Sequence, residues 1–303
     1  GGRYFFLKNN GLQNQYVMYM TDSLGDESNA TVVFDPNTWC KDGTVALAGT
    51  SFSDDGKYCA YAVAEAGSDW RTWKIRDIDL GADLPDEIKW TKFGGASWTL
   101  DNKGFFYGRF DAPPENAEAF HDVNKFQKLY FHCLGTPQSQ DVLVHHNPNE
   151  PDWSFGGYVT EDGRYLIITV AKGTDDKYRI MYKDLAEPYG MPIDLVDNFE
   201  AEYSFIGNDG PVFYFKTDLN APRGKVIAID TRKPDRANWK VLVPESKDTL
   251  TGVNLVSNLF VATYLKDAVT AVKIYEIDGS FVRDVTFPTM GTAGGFGGKR
   301  TDT

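Results

Sequence analysis

Short runs of apolar and aromatic residues recur along the chain, and each run follows a tight polar turn. Four of these turns begin with an aspartate, at Asp55, Asp101, Asp162 and Asp209, and each is followed by an aromatic-rich segment. The sequences Asp-Gly and Asp-x-x-Gly at these turns supply the residues with positive φ that hairpins need. The pattern therefore predicts repeated hairpins in which a turn leads into a buried strand.

A second strand is predicted in each interval, because several of these segments alternate apolar and polar residues with a period of two. These segments are residues 16–20, 72–78, 128–134, 179–185, 225–230 and 271–277. A shorter strand follows in most intervals, for example at residues 90–93 and 240–243. Each repeat is thus predicted to be one antiparallel four-stranded sheet.

The regular spacing of the turns predicts how the sheets are arranged. The four aspartates are separated by 46, 61 and 47 residues, and similar turns occur near Gly2 and Asn258. Repeated sheets of this length are typical of a β-propeller, and a β-sandwich, or two of them, is the alternative. We predict an all-β propeller of four-stranded antiparallel blades, about six of which lie in this chain. A further inner strand is predicted at residues 291–299. Two alternatives remain: this strand closes a ring of six blades, or a seventh blade is missing from the chain.

Composition and charge narrow the possible partners. The 303 residues carry a formal net charge of −12 and contain no basic run, which argues against a nucleic-acid partner. No segment approaches the roughly 18 consecutive apolar residues that a membrane span needs, so no membrane partner is expected. The start of the chain does not resemble a signal peptide and is interpreted as a cut within a longer product.

No catalytic, metal or cofactor motif is evident. The chain contains no G-x-S-x-G sequence, which a serine nucleophile at a strained strand-to-helix turn requires. His145 and His146 are adjacent and would point to opposite faces of an extended segment. We therefore expect no catalytic residue, no metal site and no cofactor. Cys40, Cys59 and Cys133 include no C-x-x-C pair, and we interpret them as small buried hydrophobic residues in a reducing compartment.

The chain resembles the β-propeller domain of the prolyl oligopeptidase family of serine peptidases. The resemblance covers nearly the whole chain, and the matching sequence segments occur in the same order as in the family. They are residues 11–15 (GLQNQ), 42–47 (DGTVAL), 67–70 (GSDW), 98–107 (WTLDNKGFFY), 134–141 (LGTPQSQD), 197–203 (DNFEAEY) and 239–246 (WKVLVPES).

The resemblance implies a two-domain parent protein, in which a seven-bladed propeller covers an α/β-hydrolase domain that cleaves short peptides after proline. Residues 1–303 are then one propeller domain truncated at both ends, without the hydrolase domain, and the chain alone is expected to be inactive. Its implied partners are that hydrolase domain and short proline-containing peptides, and its implied location is the cytoplasm. A stand-alone peptide- or protein-binding propeller and a macrocyclase parent are the alternatives.

The resemblance also implies substrate contacts from the propeller. Phe93 matches an aromatic residue that, in the family, helps to line the pocket for the substrate residue two before the proline. Residues 153–156 differ from the methionine-containing version of the family, and Phe155 is interpreted as filling that space. Thr174 stands where the family has a cysteine. Phe93, Phe155 and Thr174 are the predicted substrate-binding residues. Ala171 replaces a family arginine, which removes a fixed cation and its hydrogen-bond donors. The insertion at residues 111–127 falls where the family has an interface loop and is interpreted as a gate.

Overall fold

The computed structural model describes residues 2–65, 67–112 and 124–302. The chain divides into two compact units, Gly1–Val159 and Thr160–Thr303. Within the described residues the regular structure consists of β-strands and three short 3₁₀ helices, at Pro36–Thr38, Gln138–Gln140 and Arg236–Asn238. The all-β class predicted from the alternating pattern is therefore confirmed.

The first unit contains three antiparallel sheets and one further strand. Their orders are β1-β2-β3, β4-β5-β6-β7 and β11-β10-β9-β8. The strands are β1 Tyr4–Lys8, β2 Val17–Thr21, β3 Thr31–Phe34, β4 Val45–Phe52, β5 Tyr58–Glu65, β6 Arg71–Asp77, β7 Ala82–Thr91, β8 Ala96–Trp98, β9 Gly104–Arg109, β10 Lys128–Cys133, β11 Val142–His145 and β12 Trp153–Val159.

The second unit continues the same pattern. The orders of its sheets are β16-β17-β18-β19 and β20-β21-β22-β23, and the strands β13, β14 and β15 follow one another in that order in a further sheet. The strands are β13 Tyr165–Lys172, β14 Tyr178–Asp184, β15 Ile193–Val196, β16 Tyr203–Asp209, β17 Val212–Thr217, β18 Lys225–Asp230, β19 Lys240–Val243, β20 Thr249–Val256, β21 Leu259–Lys266, β22 Val269–Glu276 and β23 Phe281–Val285. The described residues thus form six sheets of consecutive antiparallel strands, as the repeat predicts.

Large aromatic side chains fill the spaces between neighbouring sheets. In the first unit, Trp73 of β6 shares a buried cluster with Trp98, Phe105 and Tyr107 of the next sheet. The Trp98 indole N–H also donates to the Ser51 carbonyl oxygen at 2.9 Å, which satisfies its only polar atom. Burying one such side chain stabilises the fold by roughly 1.5–3 kcal/mol, so the high aromatic content is mainly a packing requirement.

The repeated aspartates have two structural tasks. Asp55 Oδ1 accepts from the Ser53 hydroxyl at 2.8 Å and from the Lys57 N–H at 3.0 Å, which closes its own turn. Its other oxygen accepts from the Asn102 side chain in the next turn at 2.7 Å. Burial alone would raise the pKa of Asp55, but these hydrogen bonds outweigh it and lower the pKa. Asp55 thereby links its own turn to the turn of the next sheet.

The second unit repeats this arrangement. Asp162 Oδ1 accepts from the Thr160 hydroxyl at 2.6 Å and from the Arg164 N–H at 3.0 Å. Its Oδ2 accepts from the Asn208 side chain, one turn further on, at 2.8 Å. Asp55 and Asp162 thus use one carboxylate in the same two-sided way, within their own turn and toward the next one.

Three sequence expectations about local structure were wrong. Residues 90–93 are not a separate short strand, because β7 already runs through Ala82–Thr91 and ends before Lys92. Gly104 does not supply the positive φ of its turn; Asn102 does, with φ 57°. Gly104 instead lies so close to β10 that a Cβ would overlap with the His132 carbonyl oxygen.

The third correction concerns residues 291–299, which form no strand. Five glycines in this stretch weaken its tendency to form a strand. The segment leads instead to Arg300, whose guanidinium donates to Asn258 Oδ1 at 2.5 Å and to the Asn208 carbonyl oxygen at 2.6 Å. The Arg300 N–H donates to the Glu161 carboxylate at 2.9 Å. Arg300 therefore joins three hairpin turns of the second unit.

Candidate substrate-contact site

Phe93 follows the end of β7 in an unusual backbone conformation. Its φ is 55°, in the left-handed region that bulky residues rarely adopt. Its side chain is 61% exposed. Holding such a residue costs of order 1–3 kcal/mol, which persists only where the surroundings fix it. The structure therefore presents an aromatic ring to solvent from a constrained backbone.

The residues before Phe93 are held by several contacts. Trp90 has φ 63° and lies in a bulge, because Trp73 pairs with Ile88 while Arg71 pairs with Thr91. A bulge of this kind changes the direction of the following residues. The Thr91 hydroxyl donates to the Arg71 carbonyl oxygen at 2.7 Å.

Lys92 is a buried cation next to Phe93. Its side chain is turned inward, and the residue is 8% exposed. The Lys92 Nζ lies 3.7 Å from the centroid of the Trp70 ring and donates to Asn124 Oδ1 at 3.0 Å. The Trp70 ring in turn makes edge-on contacts with Trp90, at 5.7 Å, and with Phe110, at 6.0 Å. A cation over an aromatic ring is stabilised by the ring's negative face, so Lys92 replaces lost hydration by these contacts.

Phe155 lies on β12 and is almost fully buried, with 3% exposure. Its ring makes an edge-on contact with His145 at 4.9 Å. Its N–H donates to Gln127 Oε1 at 2.6 Å. The side chain of Gln127 fits beside Gly108, where a Cβ would stand 3.1 Å from the amide nitrogen. Phe155 is therefore positioned through its backbone as well as its ring.

Thr174 belongs to the second unit. It lies exposed in the turn between β13 and β14, directly after Gly173, whose φ is 56°. Ala171 stands at the end of β13. The side chain of Thr174 is thus available at a hairpin tip, and its role as a substrate contact stays a prediction, as do those of Phe93 and Phe155.

The segment interpreted as a gate, residues 111–127, is described only at its ends, because residues 113–123 lie outside the described residues. Lys128 Nζ donates to both carboxylate oxygens of Asp111, at 2.5 and 2.6 Å. The two ends of the segment are therefore joined by an ion pair.

A buried charge network was not expected from the sequence. The His132 ring donates through Nε2 to Asp86 Oδ1 at 2.9 Å and through Nδ1 to Asp141 Oδ1 at 2.7 Å. The Tyr107 hydroxyl donates to Asp141 Oδ2, and the Gly135 N–H donates to Asp86 Oδ1 at 2.6 Å. Burial alone would lower the pKa of His132, but its hydrogen bonds to Asp141 and Asp86 and their charges outweigh burial and raise the pKa.

This network is structural in character. The side chains of His132, Asp86 and Asp141 have no solvent exposure, so a substrate cannot reach them. The sequence signal for it was the polar segment 134–141, which begins two residues after a histidine on a predicted strand. Within the described ranges, no group of three or more histidine, cysteine or acidic side chains is arranged to hold a metal ion. Cys59 is buried as expected, but Cys133 is exposed and Cys40 intermediate, so that interpretation was wrong for two of the three thiols.

Sheets of four consecutive antiparallel strands, repeated with one turn motif, define a β-propeller domain. The whole chain, residues 1–303, matches the family described as "Prolyl oligopeptidase, N-terminal beta-propeller domain". The chain therefore belongs to the prolyl oligopeptidase family, as its N-terminal propeller.

The relatives agree with this assignment. The prolyl endopeptidase of Elizabethkingia miricola is 37% identical over 99% of this chain and 42% of its own length. The dual function macrocyclase-peptidase POPB of Galerina marginata is 34% identical over 92% of this chain and 41% of its own length. The chain thus spans about two fifths of the length of the relatives it matches.

Solved structures give the same result. The apo structure of prolyl oligopeptidase B from Galerina marginata superposes with a TM-score of 0.88 at 31% identity, over 99% of this chain and 44% of that one. The same enzyme has been solved with a bound 35mer hydrolysis and macrocyclization substrate, and that structure matches with a TM-score of 0.87. In the part of the chain that the structure describes, no helix is long and apolar enough to cross a bilayer.

Proposed function

We propose that this chain is the non-catalytic, substrate-selecting propeller of a prolyl oligopeptidase. It acts with an α/β-hydrolase domain of the same polypeptide, and the whole protein cleaves short peptides after proline by serine-type hydrolysis in the cytoplasm. The match of the entire chain to the propeller family carries the proposal. The longer relatives named prolyl endopeptidase support it, because the match covers 42% of each and more than half of each sequence lies outside the matched region.

The physical role is selection by size. A flexible peptide of a few residues can enter a site covered by a propeller, whereas a folded protein cannot. Covering the site also keeps out bulk water and competing substrates. Phe93, Phe155 and Thr174 are the residues we assign to contacts with the peptide, and the exposed ring of Phe93 supports the assignment most directly.

The test uses three substrates with one proline-containing sequence: a free octapeptide, a flexible longer peptide, and a loop of a folded domain. A two-domain protein, in which this chain and a peptidase domain form one polypeptide, is expected to cleave the octapeptide and to leave the folded domain intact. Unfolding the host domain before the assay is the control for the loop sequence. Equal cleavage of octapeptide and folded loop would reject size selection.

The chain alone is expected to be inactive. Incubation of the 303-residue chain with a proline-containing fluorogenic peptide measures this directly. Turnover that a serine-directed inhibitor abolishes, in a preparation free of contaminating peptidase, would contradict the expectation. Binding of the same peptide without turnover would instead favour the alternative, a stand-alone peptide-binding propeller.

A second chemistry for the parent protein rests on the 34% identity to a dual function macrocyclase-peptidase. In that case the acyl intermediate is transferred to the amino end of the same peptide rather than to water. Mass spectrometry of the product distinguishes the two outcomes, because a cyclic peptide lacks the 18 Da that hydrolysis adds to the cleaved chain.

A further inference from the structure

We propose that Lys92 and Gln127 are positioning residues that hold Phe93 and Phe155 through one short segment, residues 124–127. The inference deepens the proposed function and rests on it, because it takes Phe93 and Phe155 as the aromatic contacts to the peptide. Its evidence lies wholly within the first unit.

Phe93 needs an external support. Its φ of 55° is unfavourable for a bulky side chain, and its ring gains little from packing because 61% of the residue is exposed. Local preference would therefore return it to an ordinary conformation. The support must come from the residues that precede it.

Lys92 supplies that support. The buried ammonium group contacts the Trp70 ring at 3.7 Å and Asn124 Oδ1 at 3.0 Å. The buried side chain of Lys92 thus anchors the chain at the residue directly before the exposed Phe93. The Phe110 N–H donates to the Trp90 carbonyl oxygen at 2.9 Å and fixes the bulge just before Lys92.

Gln127 supports the backbone at Phe155. Its Oε1 accepts the N–H of Phe155 at 2.6 Å, and both residues are buried, with 5% and 3% exposure. An unpaired buried N–H is costly, so loss of this acceptor would move the β12 backbone at Phe155. The Phe126 N–H also donates to the Pro151 carbonyl oxygen at 2.8 Å, which ties the segment to the chain just before β12.

The two contacts belong to one segment. Asn124 and Gln127 are three residues apart, and Lys128 begins β10 directly afterwards. A displacement of residues 124–127 therefore acts on both aromatic residues at once. The expected consequence is that aromatic selectivity depends on two side chains that do not themselves touch the peptide.

The first test measures selectivity in the polypeptide that joins this chain to a peptidase domain, or in the Elizabethkingia miricola enzyme with this chain as its propeller. Two fluorogenic peptides differ only in the residue two before the proline, phenylalanine or glycine. Lys92→Met is expected to lower the ratio of their kcat/KM values about fivefold, as for loss of one aromatic contact. The effect should appear in KM, with kcat nearly unchanged, whereas Lys92→Arg should retain the ratio within about twofold.

The controls separate this inference from the proposed function. Lys103→Met removes an exposed lysine of the same unit, whose side chain is 77% exposed, and should leave the ratio unchanged. Phe93→Ala should lower the ratio as Lys92→Met does. A lowered ratio in Phe93→Ala with a normal ratio in Lys92→Met overturns the inference alone. A normal ratio in Phe93→Ala overturns the assigned contact and the inference together.

The second test needs no catalysis and uses the 303-residue chain. In Gln127→Met, the Phe155 amide should exchange with deuterium at least about tenfold faster than in the unchanged chain, because it has lost its acceptor. The amide of Phe105, the buried second residue of β9, is the reference for global opening. Equal protection of Phe155 in both proteins would show that Gln127 does not hold it.

Discussion

His132 is the residue whose replacement tests the energetics of the first unit most sharply. Its two ring nitrogens face two carboxylates, at 2.9 and 2.7 Å. A neutral imidazole has only one N–H, so one contact would otherwise set a lone pair against a carboxylate. The ring is therefore an imidazolium, and His132→Leu leaves Asp86 and Asp141 buried together without a cation.

The expected cost follows from that charge. Removing one partner of a buried ion pair destabilises a protein by about 3–5 kcal/mol. His132 is fully inaccessible to solvent, so little screening reduces this figure. In an Asp86→Asn/Asp141→Asn background the same replacement should cost less, because two neutral amides remain. The difference between the two backgrounds is expected to be about 0.5–3 kcal/mol, the usual range for residues in one network.

The pH dependence has a definite sign. The hydrogen bonds and charges of Asp141 and Asp86 raise the pKa of His132 in the folded state, against the opposing effect of burial. The stabilisation is therefore fully present below the unfolded-state pKa of about 6.5, and it is lost as the pH rises through the higher folded-state value. Between those values the slope is at most about 1.4 kcal/mol per pH unit.

Two measurements check this reasoning. Urea denaturation of the chain and of His132→Leu, from pH 5.5 to 9, gives the difference in the free energy of unfolding at each pH. NMR titration follows the ring protons of the four histidines, and His132 is assigned by the signal that the variant lacks. A His132 ring that titrates below 6.5, or a variant that loses less than about 1 kcal/mol at pH 6, would refute the charged network.

Three further predictions concern single positions. Gly104→Ala should lower the free energy of unfolding by about 1–3 kcal/mol, because its Cβ would overlap with a backbone oxygen of β10, whereas Gly156→Ala meets nothing within 4 Å and should show no loss in the same denaturation assay. A thiol reagent should modify the exposed Cys133 rapidly in the native chain, but it should reach Cys59 only on unfolding, since burial raises the pKa of that thiol to about 12. Arg300→Met should cost roughly 1–3 kcal/mol through the lost guanidinium bonds to the turns at Asn208 and Asn258, while the backbone bond to Glu161 is retained; equal stability with and without this side chain would show that the guanidinium bonds contribute nothing.

The sheets were predictable because they repeat. The strand predicted at residues 225–230 has the bounds of β18, Lys225–Asp230, and the short strand at 240–243 has those of β19. Each repeat has the same alternation of apolar and polar residues and the same turn, so the strands can be recognised by comparing the repeats with one another. The boundaries failed at residues 90–93, where a bulge at Trp90 changes the register, and a bulge leaves no periodic signal.

The candidate site was predictable only in part. The resemblance selected Phe93, and the structure exposes its ring. The sequence gave no reason to expect a buried Lys92, because lysine side chains are normally solvated. Its partners, Trp70 and Asn124, are 22 and 32 residues away in the sequence, so only the folded chain brings them together.

The contacts of Asp55 can be predicted from one sequence, whereas those of His132 cannot. Asp55 binds the turn of the next sheet, and Asp162 makes the equivalent bond in the second unit; a contact made at a fixed spacing leaves a periodic trace. His132 binds Asp86, 46 residues earlier, and Asp141, nine residues later, in an arrangement seen once in the described residues. Its energetic weight is the larger because both carboxylates are buried. Contacts that repeat with the architecture can therefore be predicted from the sequence, whereas a buried charge network that occurs at one place depends on the folded arrangement of distant residues.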